Sequence, residues 1–181
     1  MSQSHATRIF VDTEFNDLVK TPKLISIGFV SEDSRTFYAE LSDTYEIEDC
    51  SEFVQEHVLP FLEGGEALMS RHQLRRRLKD WLEAFNEPVQ LATDSLAWDW
   101  PRIQELFSAP KDWPANLDRR PLLLSMNYLN DYDKFEQAVE EAFATGMLRR
   151  HHALDDAKAN AIGWMAAGGD VDSKKLGRFT V

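Results

Sequence analysis

"RIFVDTEF", residues Arg8 to Phe15, reads as a buried β-strand that carries two acids, Asp12 and Glu14. In an extended strand, residues two apart share a face and the chain rises about 3.3 Å per residue. Phe10, Asp12 and Glu14 therefore lie on one side, and Ile9, Val11 and Thr13 on the other. The two carboxylates stand roughly 6 to 7 Å apart along that face. Like charges at this spacing, beside an apolar run, repel each other and are costly to desolvate unless a cation or a donor lies between them. A hard divalent metal suits such a pair. The plain alternative is a strand that stops at Val11, leaving both acids in a solvated loop.

Beyond this stretch, "KLISIGFV" (Lys23 to Val30) and "RTFYAEL" (Arg35 to Leu41) are β-rich runs joined by the polar turn "SEDS". With the first strand they predict a three-strand antiparallel meander. "SEFVQEHVLPFLEGG" starts helically and breaks at Pro60 and the pair Gly64, Gly65. Ser70 with Gln73 forms a capping-box pattern, and Leu74, Leu78, Trp81, Leu82 and Phe85 follow at helical spacing. Arg75, Arg76 and Lys79 occupy the other side of that helix. "VQLAT" (Val89 to Thr93) and "PLLLSM" (Pro121 to Met126) read as strands, and "WPRIQELF" as a helix with Pro101 in its first turn. Phe135, Val139, Ala142 and Phe143 mark another amphipathic helix, and Ala153 to Ala167 the last. The order predicts an α/β fold, a mixed sheet covered by helices, with one domain over residues 1–167 and a weakly structured tail over 168–181.

The chain has 181 residues, 43% of them hydrophobic, which fits one globular domain with a full core. Its one cysteine, Cys50, cannot form an internal disulfide and fits a reducing compartment. No apolar run approaches the ~20 residues of a membrane span, and "MSQSHATR" lacks the apolar core of a signal peptide. A cytoplasmic protein without membrane contact is expected. The formal charge of -11 argues against a broad basic face for holding nucleic acid. It leaves open a metal-dependent enzyme on nucleic acid, because bound cations offset site carboxylates locally.

Sites in α/β sheets gather at the carboxyl ends of strands, which directs attention to "LATDSLAWDW". Asp94 ends the strand directly. Asp99 stands near the start of the following helix, where capping alone would account for it. In "RRHHALDDAKANA" (Arg149 to Ala161), His151 and His152 fall in the loop entering the last helix, with Asp155 and Asp156 about one turn inside it. A histidine beside a carboxylate able to hold a metal suits a base that takes a proton from water. A solvated helix start is the bland reading of the same residues.

Taken in order, "DTE" at Asp12 to Glu14, "AWD" ending at Asp99, and His151-x-Ala153-x-x-Asp156 resemble the DEDDh branch of the DnaQ-like 3'-5' exonucleases. The resemblance runs from Arg8 to about residue 165. "DTEF" followed by "LISIGFVSED", and "SRHQLRRRL" at Ser70 to Leu78, look like the small single-domain exoribonucleases first recognised in mycobacteria. Two departures are visible. Phe15, Asn16 and Asp17 stand where many members have Thr-Thr-Gly, and Ser95 where many have Asn. Both bear on substrate contacts more than on metal binding.

The resemblance implies an RNase H-like fold and hydrolysis of terminal phosphodiesters to nucleoside 5'-monophosphates with two Mg²⁺ or Mn²⁺ ions, which such chemistry places about 3.5 to 4 Å apart. Asp12 would bridge both ions. Glu14 and Asp156 would hold the water-side ion, Asp99 the leaving-group side, and His151 would take the proton. Phe15 is a candidate for stacking on a base, with core packing as its alternative, and Arg71 a candidate phosphate contact. The expected partners are 3' ends of RNA, with single-stranded DNA and a homodimer as open options. The competing functions are a non-catalytic RNA-end or protein-binding module on the same fold and a phosphodiesterase of short oligonucleotides.

Overall fold

The computed structural model describes residues 6–19 and 21–171. The run that opened the sequence forms β1, Thr7–Phe15, a strand through both acids and not a strand ending at Val11. It pairs antiparallel with β2, Leu24–Ser31, which pairs antiparallel with β3, Thr36–Leu41, so the expected meander is present. A short helix α1, Glu52–His57, is capped by Ser51 and ends before Pro60. Two residues, Leu68–Met69, then add β4 beside β3.

Helix α2, Arg71–Glu83, begins with the reciprocal Ser70–Gln73 capping box, and buries Leu74, Leu78 and Leu82. Each such leucine contributes about 1.5 to 3 kcal/mol by leaving water. Strand β5, Val89–Thr93, runs parallel to β1. Helix α3, Leu96–Leu106, starts earlier than the proline suggested, so Pro101 lies within it and denies a hydrogen-bond donor to the preceding turn. Of "PLLLSM" only Leu122–Leu123 pairs, as β6. Helices α4, Tyr132–Ala144, and α5, Ala153–Ala166, complete the order.

The sheet runs β4-β3-β2-β1-β5-β6. Side-chain alternation on β1 sorts the core into two layers. Ile9 and Val11 pack with Leu74, Leu78, Leu82 and Ile103 under α2 and α3, whereas Phe10 packs with Trp164 and Phe135 under α4 and α5. Six mixed strands flanked by helices are an α/β fold consistent with the RNase H-like architecture. Gly163 lets α4 approach α5: a Cβ there would sit 2.7 Å from the Phe135 ring. Of the tail assigned to 168–181, Gly168 and Gly169 turn with positive φ and Val171 bridges Leu129; the remainder lies outside the described residues. No helix among the described residues is long and apolar enough to cross a membrane.

Candidate active site

Pairing between β1 and β5 ends at Phe10 and Ala92, so β1 runs on past the end of its neighbour. Asp12 and Glu14 sit on that overhang, facing the α5 side of the sheet as their alternation with Phe10 requires. Opposite Asp12, across the β1–β2 ladder, stands Gly28. The absence of a side chain there lets the start of α5 lie directly on the sheet. Asp156, in the first turn of α5, is thereby brought to Glu14, with carboxylate oxygens of the two within 4.8 Å.

Asp99 reaches the same place from α3. It is 1% exposed, and its two oxygens accept hydrogen bonds from the Thr13 and Thr93 hydroxyls. The capping role suggested by sequence does not apply: Asp99 lies within the helix, and Ser95 holds the N-cap position. Thr13 projects from the face of β1 opposite Asp12, so both faces of the overhang serve one cluster.

His151 precedes α5 with a φ of 64°, in the left-handed region that non-glycine residues rarely occupy. Its backbone N–H donates to Asp156 Oδ2 at 2.9 Å. Its ring stands edge-on to Phe53 of α1 at 5.0 Å between centroids. Burial, with His57 and Arg150 nearby, holds the imidazole below its ordinary range, so it is neutral and able to accept a proton at pH 7. His152 points elsewhere. It is 1% exposed, caps α5 by accepting from the Asp155 N–H at 3.3 Å, and lies 4.6 Å from the Tyr38 ring. Asp155 also turns away from the site, bonded by Arg149 and Lys158. Its burial alone would raise its pKa, but these two cations hold it below the usual carboxylate range.

The four converging acids repel one another and are each pushed toward the neutral form. Burial pushes Glu14 up to about 8, with Asp156 and Asp99 adding repulsion. Burial likewise raises Asp99 to about 7, against the two threonine hydrogen bonds, and Asp156 to about 7, against the His151 N–H. Asp12 is raised well above its ordinary value by burial and then by its acidic neighbours. Among the described residues two groups have ligand atoms mutually within 4.8 Å: Glu14 with His151 and Asp156, and Asp12 with Asp94 and Asp99. Oxygen-rich donor sets of this kind fit Mg²⁺ or Mn²⁺.

Of these residues Asp12, Glu14, Asp99 and His151 line a hollow of about 470 Å³. Phe15 lines it but is largely buried; its ring lies 6.2 Å from that of Trp98. The exposed apolar side chains of the wall are Leu18, 70% exposed, Phe53, 51% exposed, and Trp98. The sequence motifs do not mark these three: Phe53 falls in a segment legible only as a helix start, and Trp98 enters only as the aromatic before Asp99. Asp94 joins the cluster beside Asp99, and its position at the carboxyl end of β5 is the sequence signal for it. Arg71 is not among the residues lining this hollow: its N–H donates to Asp43 and its guanidinium lies 3.9 Å from Glu105, beside a separate depression.

No family model matches the chain. Over 96 residues it is 38% identical to a protein of Mycobacterium tuberculosis strain H37Rv named 3'-5' exoribonuclease, and equally to one of the same name from strain CDC 1551 / Oshkosh. The matched stretch amounts to 51% of this chain and 53% of each relative, so the chain spans about half the length of the curated relatives it matches. In sequence it is thus similar, over that half, to proteins named as 3'-5' exoribonucleases.

Proposed function

We propose that this chain is a metal-dependent 3'-5' exoribonuclease that removes nucleoside 5'-monophosphates from RNA 3' ends. The observation that carries this reading is the meeting of Asp12, Glu14, Asp99 and His151 in one aromatic-walled hollow, with Asp156 beside Glu14 and His151. The similarity to named exoribonucleases supports the same conclusion.

Glu14 and Asp156 would hold one cation, with the His151 ring beside them, and Asp12 with Asp99 would hold the other. Bound divalent cations supply Lewis-acid activation of water and neutralise charge on the phosphoryl and leaving oxygens. Thr13 and Thr93 fix the Asp99 carboxylate by hydrogen bonds to both oxygens, so its orientation is set before substrate arrives. His151, neutral and held edge-on by Phe53, accepts the proton of the attacking water. Phe53, Trp98 and Leu18 offer apolar faces on which a terminal base can stack. A base that leaves its partner to enter such a hollow must be unpaired, which favours single-stranded ends.

Two cations of α2, Arg75 and Lys79, are engaged by protein groups and not free for a phosphate track: Arg75 bonds Asp112 at 3.0 Å, and Lys79 bonds the Lys111 carbonyl at 2.9 Å. This favours, as a second reading, short oligonucleotides as preferred substrates. Incubation of a 5'-labelled RNA 20-mer with Mg²⁺ or Mn²⁺ tests both. Stepwise shortening with release of 5'-monophosphates is expected, and a circular or 3'-phosphorylated RNA should resist. Equal cutting of the circle would establish an endonuclease instead. Faster turnover of di- and trinucleotides than of the 20-mer would favour the short-substrate reading.

A further inference from the structure

Asp94 is the acid that the four-carboxylate scheme leaves over. It follows the last residue of β5, on the solvent side, and nothing in its exposure requires it to face other carboxylates. An exposed aspartate ordinarily relieves repulsion by rotating into water. Here it does not: Nδ2 of Asn160, a buried side chain of α5, donates to Asp94 Oδ1 at 3.0 Å. The bond keeps an Asp94 ligand oxygen within 4.8 Å of those of Asp12 and Asp99. Asn160 follows Asp156 by four residues, so one face of α5 serves both ligand groups, one directly and one through Asp94.

Holding a third carboxylate beside two others is unfavourable in the absence of a cation. Asp94 adds to the repulsion felt by Asp12, Asp99 and Asp156. Resting on the metal-dependent reading above, we infer that Asp94, latched by Asn160, is a further ligand of the cation held by Asp12 and Asp99, and that it sets the affinity of that position. Affinity for hard cations rises with the number of carboxylates in the site. The bond to Asn160 engages one of Asp94's two oxygens, and a carboxylate has lone pairs to spare for a cation.

The test is Mn²⁺ binding to metal-free protein, measured by calorimetry without RNA and checked by the rise in melting temperature that binding to the native state must give. Wild type should show two classes of site. Asp94→Asn should weaken one class by about tenfold or more, leave the other unchanged, and melt no lower than wild type without metal. Asn160→Ala should weaken the same class by a smaller factor, since Asp94 is then present but unheld. Wild-type Mn²⁺ affinity in Asp94→Asn would overturn the inference. A larger loss in Asn160→Ala than in Asp94→Asn would overturn the latch. Absence of RNA cleavage by wild type would defeat the exoribonuclease reading while leaving the binding result to stand or fall alone.

Discussion

Gly28 of β2 lies so close to the backbone of Leu154 in α5 that a Cβ on the glycine would stand 2.3 Å from the Leu154 nitrogen. This contact places the first turn of α5, and with it Asp156 and the His151 backbone, over the acids of β1. The site therefore depends on a residue that touches no substrate.

Gly28→Ala is expected to push α5 off the sheet. Because the clash is with backbone, which cannot rotate aside, the cost should be about 3 kcal/mol or more, at the upper end for overpacking. Loss of RNA hydrolysis and of Mn²⁺ binding should accompany a lower melting temperature. A variant with wild-type stability and activity would show that α5 is not held as described.

The raised carboxyls make the stability of metal-free protein depend on pH. Glu14 titrates at about 8 and Asp99 and Asp156 at about 7 when folded, while carboxyls of the unfolded chain titrate near 4. Between those limits the native state binds more protons than the unfolded state, so stability falls as pH rises. The contribution is fully present below about pH 4 and is lost as pH climbs through 7 to 8. Melting in EDTA should drop across this range, and saturating Mn²⁺ should flatten the slope. An EDTA profile that rises with pH over the same window would contradict the assignment.

Asp12→Asn removes an acid that four carboxylates repel: Asp99, Asp156, Glu14 and Asp94. Metal-free protein should melt higher than wild type, because a neutral amide replaces a carboxyl that is costly to ionise. RNA hydrolysis should disappear, and EDTA should abolish it in wild type. Undiminished turnover in either case would end the metal-dependent reading.

The adjacent histidines should separate cleanly. His151→Ala is expected to lower kcat by roughly 10² to 10⁴, the range for loss of a general base. His152→Ala should act mainly on stability, since it deletes the N-cap of α5 and empties a buried position beside Tyr38. Losing such a cap alone costs about 0.5 to 2 kcal/mol. Kinetics and melting of both variants at saturating Mg²⁺ decide; a crippled kcat confined to His152→Ala would reverse the two roles.

Phe53→Ala should raise KM for RNA by roughly tenfold, since stacking of one base on an aromatic ring contributes about 1 to 3 kcal/mol. It should leave Mn²⁺ affinity nearly unchanged. Wild-type KM would place the terminal base elsewhere in the hollow.

Sequence alone determined the local elements and the chemical types. Alternation in "RIFVDTEF" put Asp12 and Glu14 on one face, the meander followed from three β-rich runs, and the Ser70–Gln73 box marked the start of α2. These are properties of neighbouring residues, and short-range geometry fixes them. Tertiary structure decided which distant groups meet. That β1 outruns β5, that Thr13 and Thr93 grip Asp99, that Asn160 holds Asp94, and that His152 is buried while His151 faces the acids all depend on long-range packing. Arg71 illustrates the difference: its motif marks a cation, and the fold decides that its neighbours are Asp43 and Glu105. A strand or a helix start is encoded within a few residues. The neighbours of a side chain across a sheet are set only when the whole core closes around it.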